Sequence, residues 1–193
     1  MIASKQNGFT LVELILAMAI FSFMLLIILI GFLTIVHLHQ SGIAMRDAQQ
    51  NARYASEDVV RTFRSATDAT VTPTANPNLN TLCLTVGGAS VLYRVDATGR
   101  LLRDTFTLAS CPPGFVTETA LTSASVNVIG FSIDRQSSGG LALASMIRLS
   151  VASVSSYTFT GSAGTMTCTP GQAASQYCSV ANIITASSTR NSL

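Results

Sequence analysis

Apolar and polar positions alternate in three different ways along this chain. From Phe9 to Val36 the sequence reads FTLVELILAMAIFSFMLLIILIGFLTIV, and residues 14–36 form 23 consecutive positions without a charge. As a helix, that run is roughly 34 Å long at about 1.5 Å per residue. It can therefore cross a hydrocarbon layer about 30 Å thick. A buried core helix is a poorer reading, because a small domain cannot cover an uncharged cylinder of that length. A cleaved secretory signal is poorer too. Ala17-Met18-Ala19 mimics an A-x-A site, but cutting there leaves only Leu14 to Leu16 as the apolar region, where roughly 7–15 residues are needed.

Past the span the period changes but stays helical. Ala48, Ala52, Ala55, Val59 and Phe63 recur three or four residues apart, with no Pro between Ser41 and Ala66 and Gly42 as the single Gly. This is one apolar stripe on an amphipathic helix. Arg46, Asp47, Arg53, Glu57, Asp58, Arg61 and Arg64 are read onto the opposite face, and Arg53/Glu57 and Glu57/Arg61 are spaced for ion pairs at i,i+4. The pattern predicts one helix from residue 9 to about 66, apolar all round in its first part and on one side in its second. The stripe is narrow and made of small residues, which suits close packing on a sheet.

After Thr67 the period falls to two. Pro73, Pro77 and three Asn residues read as a loop. Thr81–Val86 and Ser90–Val95 flank Gly87-Gly88, a tight hairpin signal. Val91, Tyr93 and Val95 point one way, Leu92 and Arg94 the other. Asp96–Gly99 reads as a turn into a strand at Arg100–Phe106. Val126–Ile133 is a further strand whose apolar phase slips at Ile129-Gly130, the mark of a bulge. Met146–Val151 and Val180–Thr185 complete the set. Gln136–Gly140 reads as a loop, and Ser155–Gly171 has no resolved pattern. The fold class expected is α+β, a long N-terminal helix packed on an antiparallel sheet.

Composition narrows the function. Charged residues make up 10% of the chain, well below the roughly 25% of a soluble domain. The net charge of +2 comes from scattered residues, one Lys and ten Arg, without aromatic interleaving. A nucleic-acid footprint needs a clustered basic patch, so no direct nucleic-acid binding is expected. His37 and His39 sit just past the span and read as membrane-boundary residues. Gly87-Gly88 and Gly139-Gly140 fit no phosphate loop. No catalytic constellation, cofactor motif or metal spacing is present, so the expectation is a non-enzyme with no cofactor and no metal. Cys83, Cys111, Cys168 and Cys178 contain no CxxC pair. An even number of Cys beyond a membrane span reads as two disulfides in an oxidising compartment. Three connectivities are open, and proximity in sequence favours Cys83–Cys111 with Cys168–Cys178.

The junction Gly8-Phe9-Thr10-Leu11-Val12-Glu13, leading straight into the apolar run, resembles the cleavage and methylation signature of type IV pilins and type II secretion pseudopilins. The resemblance implies that a prepilin peptidase cuts after Gly8, that Phe9 becomes the N-methylated terminus, and that Glu13 is the assembly charge. A carboxylate at a bilayer edge costs a few kcal/mol. It is offset if Glu13 of one subunit meets the Phe9 amine of a neighbour. Gln49-Gln50-Asn51-Ala52-Arg53-Tyr54-Ala55, Tyr93-Arg94-Val95-Asp96 with Gly99–Arg103, and the terminal Thr189-Arg190-Asn191 are similar to PilW-type minor pilins and J-type pseudopilins. The short Cys168–Cys178 loop would resemble the C-terminal disulfide loop of many pilins. Many major pilins carry a mid-helix Pro where this chain has Ile30, with Gly31 as the only nearby flexible point.

The resemblance divides the chain into a leader peptide (1–8), a transmembrane and assembly helix (9–36), the amphipathic half of that helix (37–66) and a β-rich head (67–193). It implies a minor pilin that primes or caps a pilus serving adhesion, motility or DNA uptake. The alternatives are a minor pseudopilin of a type II secretion system and a membrane-anchored binding domain that does not polymerise. Implied partners are the prepilin peptidase, other major and minor pilins or pseudopilins, the inner-membrane assembly platform and the lipid bilayer. The implied location is the bacterial inner membrane, single-pass, with the head on the periplasmic side.

Overall fold

The computed structural model describes residues 10–107, 111, 118–138, 142–153, 158–169 and 178–188. The first element is the helix α1, Leu11–Ser65. It is followed by β1 (Asp68–Pro73), β2 (Asn80–Val86), β3 (Ala89–Val95), β4 (Leu101–Phe106), β5 (Glu118–Ala120), β6 (Val126–Ser138), β7 (Ala142–Ser153), β8 (Phe159–Thr160), β9 (Thr167–Cys168) and β10 (Val180–Ser188). One long helix followed by antiparallel sheets is the α+β, pilin-like layout expected from the sequence. The chain clusters into two compact units, Met1–Gln40 and Ser41–Leu193.

In the first unit, the apolar side chains of α1 are bare. Leu11, Phe23, Ile27 and Leu38 are each at least two-thirds exposed. Two hydroxyls in this stretch turn back on their own helix. Ser22 Oγ donates to the Met18 carbonyl (2.8 Å) and Thr34 Oγ1 to the Ile30 carbonyl (2.9 Å). Such back-bonding leaves no hydroxyl in need of water. The helix runs unbroken through Ile30-Gly31, and a Cβ at Gly31 would meet nothing within 4 Å.

The second unit holds the core. A five-stranded antiparallel meander runs β1-β2-β3-β4-β5, and a three-stranded sheet runs β10-β7-β6. Ala48, Ala52, Ala55, Val59 and Phe63 of α1 are at most 1% exposed. They share one cluster with Leu82, Leu84, Val91 and Tyr93 of the meander and Val126, Phe131, Ile147 and Leu149 of the smaller sheet. Gly87 and Gly88 both have positive φ (59° and 87°), which fits a two-residue primed turn closing β2 on β3. The expected bulge is present as a register shift between Val128 and Gly130.

Several expectations are corrected. Asp58 does not lie on the outer face of α1. Its carboxylate accepts from the Tyr93 hydroxyl (2.8 Å) and pairs with Arg103 Nη1 (3.2 Å). The i,i+4 pairs Arg53/Glu57 and Glu57/Arg61 are not formed, because long exposed side chains gain little by pairing in water. Gln136–Ser138 belong to β6 rather than to a loop, where pairing with β7 overrides their polar composition. The stretch holding Pro73 begins as β1, an edge strand whose Pro stands at its end, where no ladder bond is lost. β8 and β9 lie within Ser155–Gly171. Beyond these corrections, the face of the meander that carries Leu92 and Arg94 holds buried residues too. Leu92, Leu102, Phe106 and Asp104 are all buried.

Candidate functional site: the processing and assembly segment

The functional segment begins where the helix begins. Thr10 stands at its N-cap. Thr10 Oγ1 accepts from the Glu13 amide (3.3 Å), while Glu13 Oε2 accepts from the Thr10 amide (3.1 Å) and the Thr10 hydroxyl (3.0 Å). This reciprocal arrangement is a capping box, T-x-x-E, and it satisfies two amides that the first helical turn leaves without partners. The signal was present in Thr10-Leu11-Val12-Glu13 directly before an apolar run, yet the reading of Glu13 as an assembly charge passed over it. A carboxylate in the first turn also suits the positive end of the helix dipole.

Gly8 and Phe9 lie outside the described residues, as does Thr189-Arg190-Asn191. The geometry therefore begins one residue beyond the scissile bond that the signature implies. From there α1 presents two contrasting surfaces. Leu11 to Leu38 expose a continuous apolar surface, of a size that in a folded protein marks contact with lipid or another protein. His39, just past this surface, is exposed. From Ser41 onward one side of the helix is engaged by the sheets, and Tyr54 is left exposed on the other.

The cysteines join in the second unit. Cys83 on β2 is bonded to Cys111, with Cα atoms 6.1 Å apart, and Cys168 at the end of β9 is bonded to Cys178 just before β10, at 6.2 Å. Cys83 shares a cross-strand row with Leu92, Asp104 and Glu118, on the face turned away from α1. The first disulfide thus fastens residue 111 over that face. Asp104 is fully shielded from solvent and neither carboxylate oxygen has a hydrogen bond among the described residues. Arg94 Nε is 3.9 Å away, and its Nη2 pairs with Glu118. Burial pushes the Asp104 carboxyl above its usual range despite Arg94. Tyr93, buried against Asp58 and Thr62, is pushed well above the ordinary phenol range, chiefly by burial.

None of these groups forms a catalytic constellation, and among the described residues no three His, Cys, Asp or Glu side chains cluster as a metal site. What the arrangement offers is an anchor and a framework: a capped apolar helix and a disulfide-bonded head. Residues 3–29 match the family model of the prokaryotic N-terminal methylation motif. No curated protein and no solved structure matches the chain. The motif, the apolar helix that carries it and the antiparallel sheets that follow together give this chain the N-terminal signature and layout of a type IV pilin-like protein.

Proposed function

We propose that the chain is a minor type IV pilin, a structural subunit that primes or caps a pilus. The observation that carries the reading is the methylation motif at residues 3–29, leading without a break into α1. On this reading residues 1–8 are a leader, prepilin peptidase cuts after Gly8, and the Phe9 amine is methylated. Residues 9–36 then span the inner membrane once and pack among other pilins above the assembly platform. Residues 37–66 continue that helix as its amphipathic half, and residues 67–193 form the periplasmic head. Glu13 supplies a counter-charge to the Phe9 amine of the adjoining subunit. The same motif serves pseudopilins. The unbroken passage of α1 through Ile30-Gly31, where many major pilins have Pro, favours a subunit other than a major pilin in either system.

Mass spectrometry of the protein purified from its native membrane tests the reading. The expected N-terminus is a monomethylated Phe9. An intact Met1, or a terminus after Ala19, overturns it. Recovery of the protein in sheared pili, rather than in a secretion complex, then distinguishes pilus from piston.

A further inference from the structure

The β-rich unit contains a cleft of about 390 Å³, within the usual range of roughly 300–1,000 Å³ for small-ligand sites. Two loops and a hairpin converge on it, each fastened in place. The loop before β2 is held by the Phe131 amide donating to the Asn78 carbonyl (2.7 Å) and by a parallel bridge between Leu79 and Phe131. The turn before β4 is held by the Val128 amide donating to the Gly99 carbonyl (2.6 Å). Inside that turn, Asp96 Oδ1 accepts from the amides of Thr98 (2.9 Å) and Arg100 (2.8 Å). The β8–β9 hairpin is held by Asn182 Nδ2 donating to the Met166 carbonyl (2.8 Å), and by the Gly164 amide donating to Ser150 Oγ (2.8 Å). The β6 bulge at Val128–Gly130 brings Ile129 into the lining. The walls are therefore set before any ligand arrives, which lowers the entropic cost of binding.

The lining chemistry is unusually uniform. Its polar side chains are amides and a hydroxyl, from Asn76, Asn78, Asn127 and Thr98, and its apolar side chains include Phe159 and Met166. Among the described residues no charged side chain lines it. The amides of Asn78 and Asn127 make no side-chain hydrogen bond among the described residues. Gly99 has φ +80°, and a Cβ there would fall 2.8 Å from Asn127 Oδ1, so Gly99 leaves the room that the Asn127 amide occupies.

We propose that this cleft binds a neutral pyranose residue of a saccharide. Amides can donate to and accept from vicinal hydroxyls, while Phe159 and Met166 offer an apolar surface to the C–H face of the ring. Among the described residues of the lining an anionic ligand finds no cation, and a cation finds no carboxylate.

The probes are the methyl glycosides of glucose, galactose, mannose and N-acetylglucosamine. They are tested by saturation-transfer NMR on the full chain in phosphocholine-lipid nanodiscs, which carry no sugar headgroup. At least one glycoside is expected to receive transfer, strongest on its ring C–H protons. Asn78→Ala and Asn127→Ala should each weaken its binding about fivefold or more, as for a lost hydrogen bond. Asn78→Ala leaves the backbone carbonyl that fastens its loop, and circular dichroism confirms that each variant is folded. Absence of transfer from all four glycosides overturns the proposal. So does transfer that survives both substitutions, or stronger transfer to N-acetylneuraminate than to any neutral glycoside.

Discussion

On the proposed function Glu13 carries two roles that a single substitution would confuse. Its carboxylate closes the capping box with Thr10, and on the proposed function it also balances a neighbour's terminal amine. Glu13→Ala removes both. Glu13→Gln removes only the charge, because Gln serves the capping box as Glu does. Cleavage is expected to survive in both variants, since on the proposed function Gly8 supplies the peptidase site. Neither should shift the melting of the β-rich unit, because among the described residues the Glu13 side chain bonds only to Thr10. If charge governs assembly, both variants are lost from sheared filaments to a similar degree. Normal incorporation of the Gln variant beside loss of the Ala variant would assign the effect to the cap instead.

Asp104 is a different case, a carboxylate buried without a hydrogen bond among the described residues. A group whose folded pKa is raised contributes stability below its unfolded pKa and loses it as pH rises through the folded value. At neutral pH the buried Asp104 carboxyl therefore works against the fold. Asp104→Asn is expected to raise the melting temperature at pH 7, with the advantage shrinking toward pH 3, where the native carboxyl is neutral as well. Thermal melts of both proteins across that range check it. A variant that melts lower at pH 7 would show that Arg94 makes the charge worth keeping.

The second half of α1 is held by a stripe whose members differ in size. Three are alanines, which suit a close approach of helix to sheet, while Val59 and Phe63 add larger side chains to the same buried cluster. Phe63→Ala removes a whole ring from a site with no exposure. It is expected to cost about 3–5 kcal/mol, the range for Phe→Ala in a packed core. Tyr54→Ala, on the exposed side of the same helix, should stay within about 0.5 kcal/mol. Denaturant midpoints of the two variants measure the difference. A Phe63→Ala cost no larger than that of Tyr54→Ala would mean that the stripe is not the helix's main hold on the sheets. This stripe was fully legible in the sequence, since every member expected to be buried is buried.

At the scale of the whole molecule, the chain is built for two environments. The first unit leaves its apolar side chains bare and folds the Ser22 and Thr34 hydroxyls back onto the helix, an arrangement that suits membrane anchoring. The second unit gathers most of its buried apolar side chains in one cluster and adds two disulfides. Burial in that unit falls on both faces of the meander, which is why strands of alternating pattern coexist with buried residues such as Leu92 and Leu102 at their outward positions.

The sequence alone determined the features that depend on residues near one another in the chain. An uncharged run long enough to cross a bilayer, a stripe repeating every three or four residues, a Gly-Gly turn and a slip in strand phase are all local periodicities. Each reappears as the apolar part of α1, its buried side, the β2–β3 turn and the β6 bulge. The Thr10–Glu13 box was equally local, and only a competing role for Glu13 obscured it. The tertiary structure alone decided what covers each face. Asp58 turns inward because Tyr93 and Arg103, 35 and 45 residues away, wait on the meander. Gln136–Ser138 become strand because β7 lies beside them. Asp104 is buried because the face turned away from α1 is covered too. Polar composition marks a residue's preference for water, but contacts made by distant parts of the chain decide whether water reaches it.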